Sequence, residues 1–211
     1  MRISNVIKSL LALTAVTVPL LAHAESNVVN GAATASPGAQ AHVDFQITIP
    51  KYLYLRVGTG SAYPTTLANS ATVDLVQFAP ALGSVGNSVA VAGTGGDLTG
   101  GVETAAVVSN SGNVTLGASS LGALSDGAGD TIAFSEIKTA AATLTSVTAL
   151  PAPVLANGAS ATILLTAPAS KIIVQDAKWT YTYANTTNPP AGVYGGANVN
   201  NGRVTYTATM P

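Results

Sequence analysis

Apolar and polar residues alternate with period two along much of the chain. Between His42 and Ile49, the side chains of Val43, Phe45, Ile47 and Ile49 share one face and those of Asp44, Gln46 and Thr48 the other, the pattern of a strand half-buried against a core. Pro50 ends the run. Residues 51–57 alternate again, with Leu53, Leu55 and Val57 opposed to Tyr52, Tyr54 and Arg56, until Gly58 and Gly60 turn the chain. Further strands are predicted over 72–78, 88–91, 102–108, 113–118, 131–134, 161–166, 172–183 and 202–210, each bounded by Gly, Asn, Pro or Ser. This rhythm, with no convincing amphipathic helix, predicts an all-β chain folded as an antiparallel β-sandwich or barrel of roughly ten short strands. The one helical competitor is 135–144, whose alanines allow a turn or two of helix as a crossover.

The C-terminal third is the most legible part. Trp179, Tyr181 and Tyr183 stack along one face of a strand with Thr180 and Thr182 opposite. Pro189 and Pro190 interrupt the pattern, Asn201 and Gly202 form a tight-turn dipeptide, and Val204, Tyr206, Ala208 and Met210 define a last strand expected to be tied into the sheet. The Gly-rich stretches 93–101 and 122–129 read as hairpin loops, and no repeat of fixed period emerges.

The N-terminus sets the compartment. Arg2 and Lys8 precede the apolar run 10–21, and Ala22, His23 and Ala24 make a small-x-small cleavage site, which predicts a secretory signal peptide over 1–24 rather than a membrane anchor. The run falls short of the roughly 20 apolar residues a membrane span needs, and it contains Pro19. Residues 25–41 are small, polar and without periodicity, a flexible leader. Residues 42–211 are expected to form a single domain.

Composition narrows the chemistry. The 211 residues carry 8 Lys+Arg against 9 Asp+Glu, a charged share of only 8%, so no basic field exists to hold nucleic acid. The absence of Cys removes disulfides, thiolate nucleophiles and Cys-ligated metals. Loss of 1–24 takes away Arg2, Lys8 and His23, leaving His42 as the last histidine and a net charge of −3. Ser-His-Asp triads and multi-histidine metal sites are thereby set aside. No cofactor and no enzymatic activity are implied. A secreted domain of this kind is held by close-packed Val, Ala and Thr sheets, and a surface so poor in charge has little solvation to lose against copies of itself.

Layout then carries a resemblance. A signal peptide, an alternating strand ending at Pro50, a series of short Thr/Ala/Val strands, and a closing Pro-Ala-Gly-x-Tyr stretch (190–194) before a Thr-alternating strand resemble Gram-negative fimbrial subunits. The nearest flavour is the cysteine-poor subunits of the alternate and archaic chaperone–usher families, over residues 41–211. The resemblance implies an incomplete immunoglobulin-like sandwich completed by a strand from a neighbour, with Val43, Phe45, Ile47 and Ile49 as donor residues. It also implies a homo-oligomer or filament at the cell surface, reached through the periplasm with a chaperone and an usher as partners. Periodicity alone does not separate such a donor from an ordinary first strand of a complete sandwich.

Other constellations have a weaker chemical reading beside a plain one. Asp126 and Asp130 on a Gly-rich loop are oxygen ligands of the kind calcium takes, while Asp-Gly is equally a hairpin turn. Ser135 and Lys138 match the S-x-x-K of serine acyl transferases without its companion motifs. Glu103 and Glu136 are acids on separate segments with nothing to bring them together as a hydrolytic pair. The 93–97 stretch lacks the Lys-Ser/Thr of a phosphate loop, and the sequons at Asn113 and Asn185 are incidental in a bacterial-looking chain. Trp179, Tyr181 and Tyr183 are either core residues or an aromatic platform for sugar rings. The platform supports the alternative of a monomeric secreted β-sandwich that binds carbohydrate.

Overall fold

Residues 173–183, the longest alternating run, become the longest strand and organise the larger of two facing sheets. The computed structural model describes residues 26–33, 38–63 and 67–211. The predicted signal peptide lies outside the described residues, as do residues 25 and 34–37 of the leader. Among the described residues there are twelve strands: β1 Leu53–Val57, β2 Val76–Gln77, β3 Val91–Ala92, β4 Thr94–Gly95, β5 Val102–Ser109, β6 Val114–Ser120, β7 Leu124–Ser125, β8 Thr131–Ile132, β9 Ile137–Ala142, β10 Ile163–Leu165, β11 Ile173–Tyr183 and β12 Val204–Thr209. A 3-10 turn at Phe134–Glu136 precedes β9.

All pairings are antiparallel. The larger sheet runs β1-β5-β11, and β11 then pairs with both β9 and β3 along its length. The smaller runs β10-β6-β12, and two short ladders join β2 to β4 and β7 to β8. One core joins the inner faces of the two sheets: Ala105 and Val107 of β5 and Ala177, Trp179, Tyr181 and Tyr183 of β11 meet Val114, Leu116 and Ala118 of β6. The protein is an all-β sandwich.

Trp179 is fully buried, and its Nε1 donates to the Leu150 carbonyl at 2.8 Å, so the one polar atom of the indole is satisfied. Burying a ring of this size is worth about 3 kcal/mol. Two Gly residues make a close backbone crossing: a Cβ on Gly93 would lie 2.9 Å from the Gly101 Cα, which is why neither loop position accepts a side chain.

The chain divides into two units, Met1–Ile49 and Pro50–Pro211. The described residues of the first have no helix or strand, and all are exposed. Residues 42–49, which the alternation predicts as a strand, are therefore outside every sheet, because an alternating face orders a strand only when a partner edge is supplied. Where the second unit begins, Asn110 holds the chain. Its Nδ2 donates to the Pro50 carbonyl at 2.8 Å and its Oδ1 accepts from the Tyr52 N–H at 2.9 Å.

Three other sequence expectations change. The helical competitor at 135–144 begins in the 3-10 turn at Ser135 and Glu136, but its body is strand β9, paired with β11 from Tyr183↔Ile137 to Lys178↔Ala142. Burial of Ile137 and the ladder bonds outweigh the modest helix preference of its alanines. The strand predicted over 72–78 shrinks to β2, since Asp74 instead accepts from the Thr59 N–H at 2.5 Å and the Thr59 hydroxyl at 2.9 Å. The loop at 93–101 contains β4, a two-residue strand.

Candidate assembly groove

Two edge strands border an apolar groove of about 840 Å³ within Pro50–Pro211. β1 ends the larger sheet and β12 ends the smaller, each hydrogen-bonded along one side only. Leu55 and Val57 line the groove from β1, Val204 and Tyr206 from β12, and Val76 and Phe78 from the 72–78 segment. Alternation explains the arrangement on β12, where Val204, Tyr206 and Ala208 point inward and Thr205, Thr207 and Thr209 outward. The inward residues stay half-buried because the groove leaves one flank of their strand uncovered. An unpaired edge of this kind is a template for another strand, and β12 carries no Lys or Pro to block it.

The back wall is aromatic. Tyr181 and Tyr183 line it, the Tyr181 and Tyr206 hydroxyls bond to each other at 2.8 Å, and the rings of Trp179 and Tyr206 lie 5.3 Å apart. Burial pushes the Tyr181 hydroxyl far above its ordinary pKa, and burial likewise carries Tyr206 up to about 12. The Tyr183 hydroxyl is buried and has no hydrogen-bond partner, an open valence at the groove wall. Because Trp179, Tyr181 and Tyr183 are 0%, 7% and 5% exposed, they present no open platform for a sugar ring.

Two carboxylates meet at one place in this wall, and Arg203 lines the groove as well. Glu103, on β5 and only 5% exposed, lines the groove with Asp74. Its Oε2 accepts from the Asp97 N–H at 3.2 Å, and a Cβ on Gly58 would come within 2.8 Å of that oxygen and collide with Asp74 Oδ2. Gly58, at φ +82°, is thus required both by its backbone and by the carboxylates packed over it. One guanidinium serves the group: Arg56 bonds Asp97 Oδ2 at 3.0 Å, and Asp97 Oδ1 accepts from the Thr104 N–H at 2.7 Å. Burial, and then the neighbouring carboxylates of Asp74 and Asp97, push the Glu103 pKa up to about 7 against the lowering N–H bond from Asp97.

The sequence-selected residues fall into separate places. Val43, Phe45, Ile47 and Ile49 are 75%, 90%, 86% and 75% exposed. Asp126 Oδ1 accepts the N–H groups of Ala128, Gly129 and Asp130, so the carboxylate caps its own turn. Those bonds, the one from Ala128 first, hold its pKa below the usual range. Among the described residues no group of three His, Asp or Glu side chains is arranged to hold a metal. Lys138 Nζ donates to the Ser135 backbone carbonyl at 2.6 Å. Glu136 is taken by Thr186, whose N–H it accepts at 2.9 Å, while Glu103 belongs to the groove.

Asp74, Asp97 and Arg56 were not singled out by the sequence. Their one signal was scarcity, since a charge in so neutral a chain invites the question of its partner. Among the described residues no helix is long and apolar enough to cross a membrane. Compared with protein-family models, curated proteins and solved structures, the chain matches none.

Proposed function

We propose that the protein is a structural subunit of an extracellular fimbria or surface filament, assembled by β-strand addition and without catalytic activity. Residues 43–49 of one copy lie along β12 of another, with Val43, Phe45, Ile47 and Ile49 entering its groove. The observation that carries this reading is the presence in one chain of two complementary halves. One is a seven-residue alternating segment that is exposed and unpaired; the other is an apolar groove flanked by two open sheet edges. The lengths agree, since seven extended residues span about 23 Å and the six of β12 about 20 Å. Main-chain bonds to the edge supply affinity, and alternate side chains supply fit.

Pairing of the segment with its own β1 is disfavoured by the Asn110 clamp. It holds residues 50–52 without a turn, whereas a hairpin back along β1 needs one there. Before assembly so apolar a groove needs cover, the role a periplasmic chaperone and usher would fill for a chain exported by the 1–24 signal. The test is the purified chain without 1–24 on size exclusion and by electron microscopy. Oligomer ladders or filaments are expected, absent after deletion of 25–49 and in the double variant Phe45→Asp, Ile47→Asp. Assembly undiminished by both changes overturns the reading.

A further inference from the structure

The groove is mostly apolar, with the carboxylates of Glu103 and Asp74 and the guanidinium of Arg203 in its lining, and the segment proposed to fill it, residues 43–49, carries no Lys or Arg. This inference rests on the strand-addition reading and concerns its regulation. We propose that filling the groove is coupled to uptake of a proton by Glu103, so that strand addition is strong in acidic and neutral media and weakens as the medium turns alkaline.

The geometry leaves little alternative for the charge. Of the three carboxylates Glu103, Asp74 and Asp97, only Asp97 is paired with a guanidinium, that of Arg56, which also bonds the Gly58 carbonyl. The cations nearby are Arg56, bonded to Asp97, and Arg203, which lines the groove beside Val204; the groups whose charges act on Glu103 are all acids. Asp97 comes from the loop before β5, Asp74 from the 72–78 segment, Tyr181 from β11 and Tyr206 from β12. None of them supplies a positive charge. An apolar strand laid over this corner replaces water with hydrocarbon, which disfavours the ionised carboxylate. Ionised Glu103 also repels Asp74, which anchors the 72–78 wall to Thr59.

Before filling, Glu103 ionises near neutrality; after filling it ionises at a higher pH. Affinity is therefore level below about pH 7 and falls above it, by up to tenfold per pH unit. The donor segment brings His42 and Asp44 of its own, so removal of Glu103 is needed to assign the effect.

The experiment uses the full chain without 1–24 carrying Phe45→Asp and Ile47→Asp, whose own segment no longer competes. A fluorescent peptide of residues 40–50 is titrated onto it from pH 5.5 to 9 by anisotropy, with near-ultraviolet circular dichroism to verify folding. A fall of at least tenfold between pH 7 and 9 is expected, reduced to less than twofold by Glu103→Gln. Asp74→Asn, a second variant for the case that Glu103→Gln does not fold, removes a charge that raises the Glu103 pKa and is expected to move the onset of the fall to lower pH. A level profile, a profile that survives Glu103→Gln in folded protein, or an onset unmoved by Asp74→Asn overturns the proton coupling and leaves strand addition standing. Failure of the peptide to bind at any pH overturns strand addition itself, and the coupling with it.

Discussion

Residues 43–49 and 204–210 carry the same signal and meet opposite fates. Each alternates four apolar residues with three others. In the second, Val204, Tyr206 and Ala208 turn into the sandwich while β6 pairs with their strand from Val204↔Ser120 to Thr209↔Thr115. In the first, all four apolar side chains stand in solvent. The difference teaches that alternation specifies a face, whereas a strand also requires an edge to bond. Within Pro50–Pro211, β6 supplies that edge to one segment. The other is left as an alternating face in need of a partner.

The widest separation between the two regions is expected in stability. Trp179→Ala removes the fully buried ring that packs on Tyr206, and should cost about 3–5 kcal/mol in urea denaturation. In the unassembled chain Phe45→Ala, at an exposed position, should leave the midpoint unchanged. A large loss at Phe45 would break the comparison by placing the segment in its own core.

Next comes the pH dependence of the packed side. Glu103 has a folded pKa raised from 4.5 to about 7, so its contribution is complete below the unfolded value and is lost as pH rises through the folded one. The loss should approach about 2–3 kcal/mol by pH 8, and Glu103→Gln should flatten this part of the stability profile.

Asp176 runs the other way and is smaller. Desolvation raises its pKa, yet bonds from the Thr145 and Ser146 hydroxyls and N–H groups outweigh this and bring it to about 2. Stability is then present above pH 4 and lost as pH falls through 2. The amount is about 1 kcal/mol once solvent screening is allowed for. Thermal melts of Asp176→Asn between pH 2 and 5 check it: the parent should lose its advantage over the variant as the acid is reached.

How much of this was legible follows from the same contrast. The inward faces of β11 and β12 could be read directly, because Trp179, Tyr181 and Tyr183 and then Val204, Tyr206 and Ala208 keep strict period two. The β9 strand was hidden by its alanines, which serve helix and strand alike, and is decided by its ladder with β11. The two-residue strands β4 and β7 lie in Gly-rich stretches too short to show a period. The Glu103 corner was not legible at all: Arg56 and Asp97 stand 41 residues apart, and only the path of the fold brings them together. The four apolar residues of 43–49 were legible as a face, but whether that face belonged to this sandwich was not encoded in their spacing.

The Asn110 clamp has a mechanical side. Tension entering the sandwich at Pro50 meets an amide that grips the chain at Pro50 and Tyr52, then runs along β1, whose five residues from Leu53↔Ser109 to Val57↔Ala105 are paired with β5. Load directed lengthwise along such a ladder is shared among its bonds and must break them together, rather than peeling them one by one. The point at which the N-terminal segment leaves the domain is thus a shear anchor, seated on the strand that carries Ala105 and Val107 into the core.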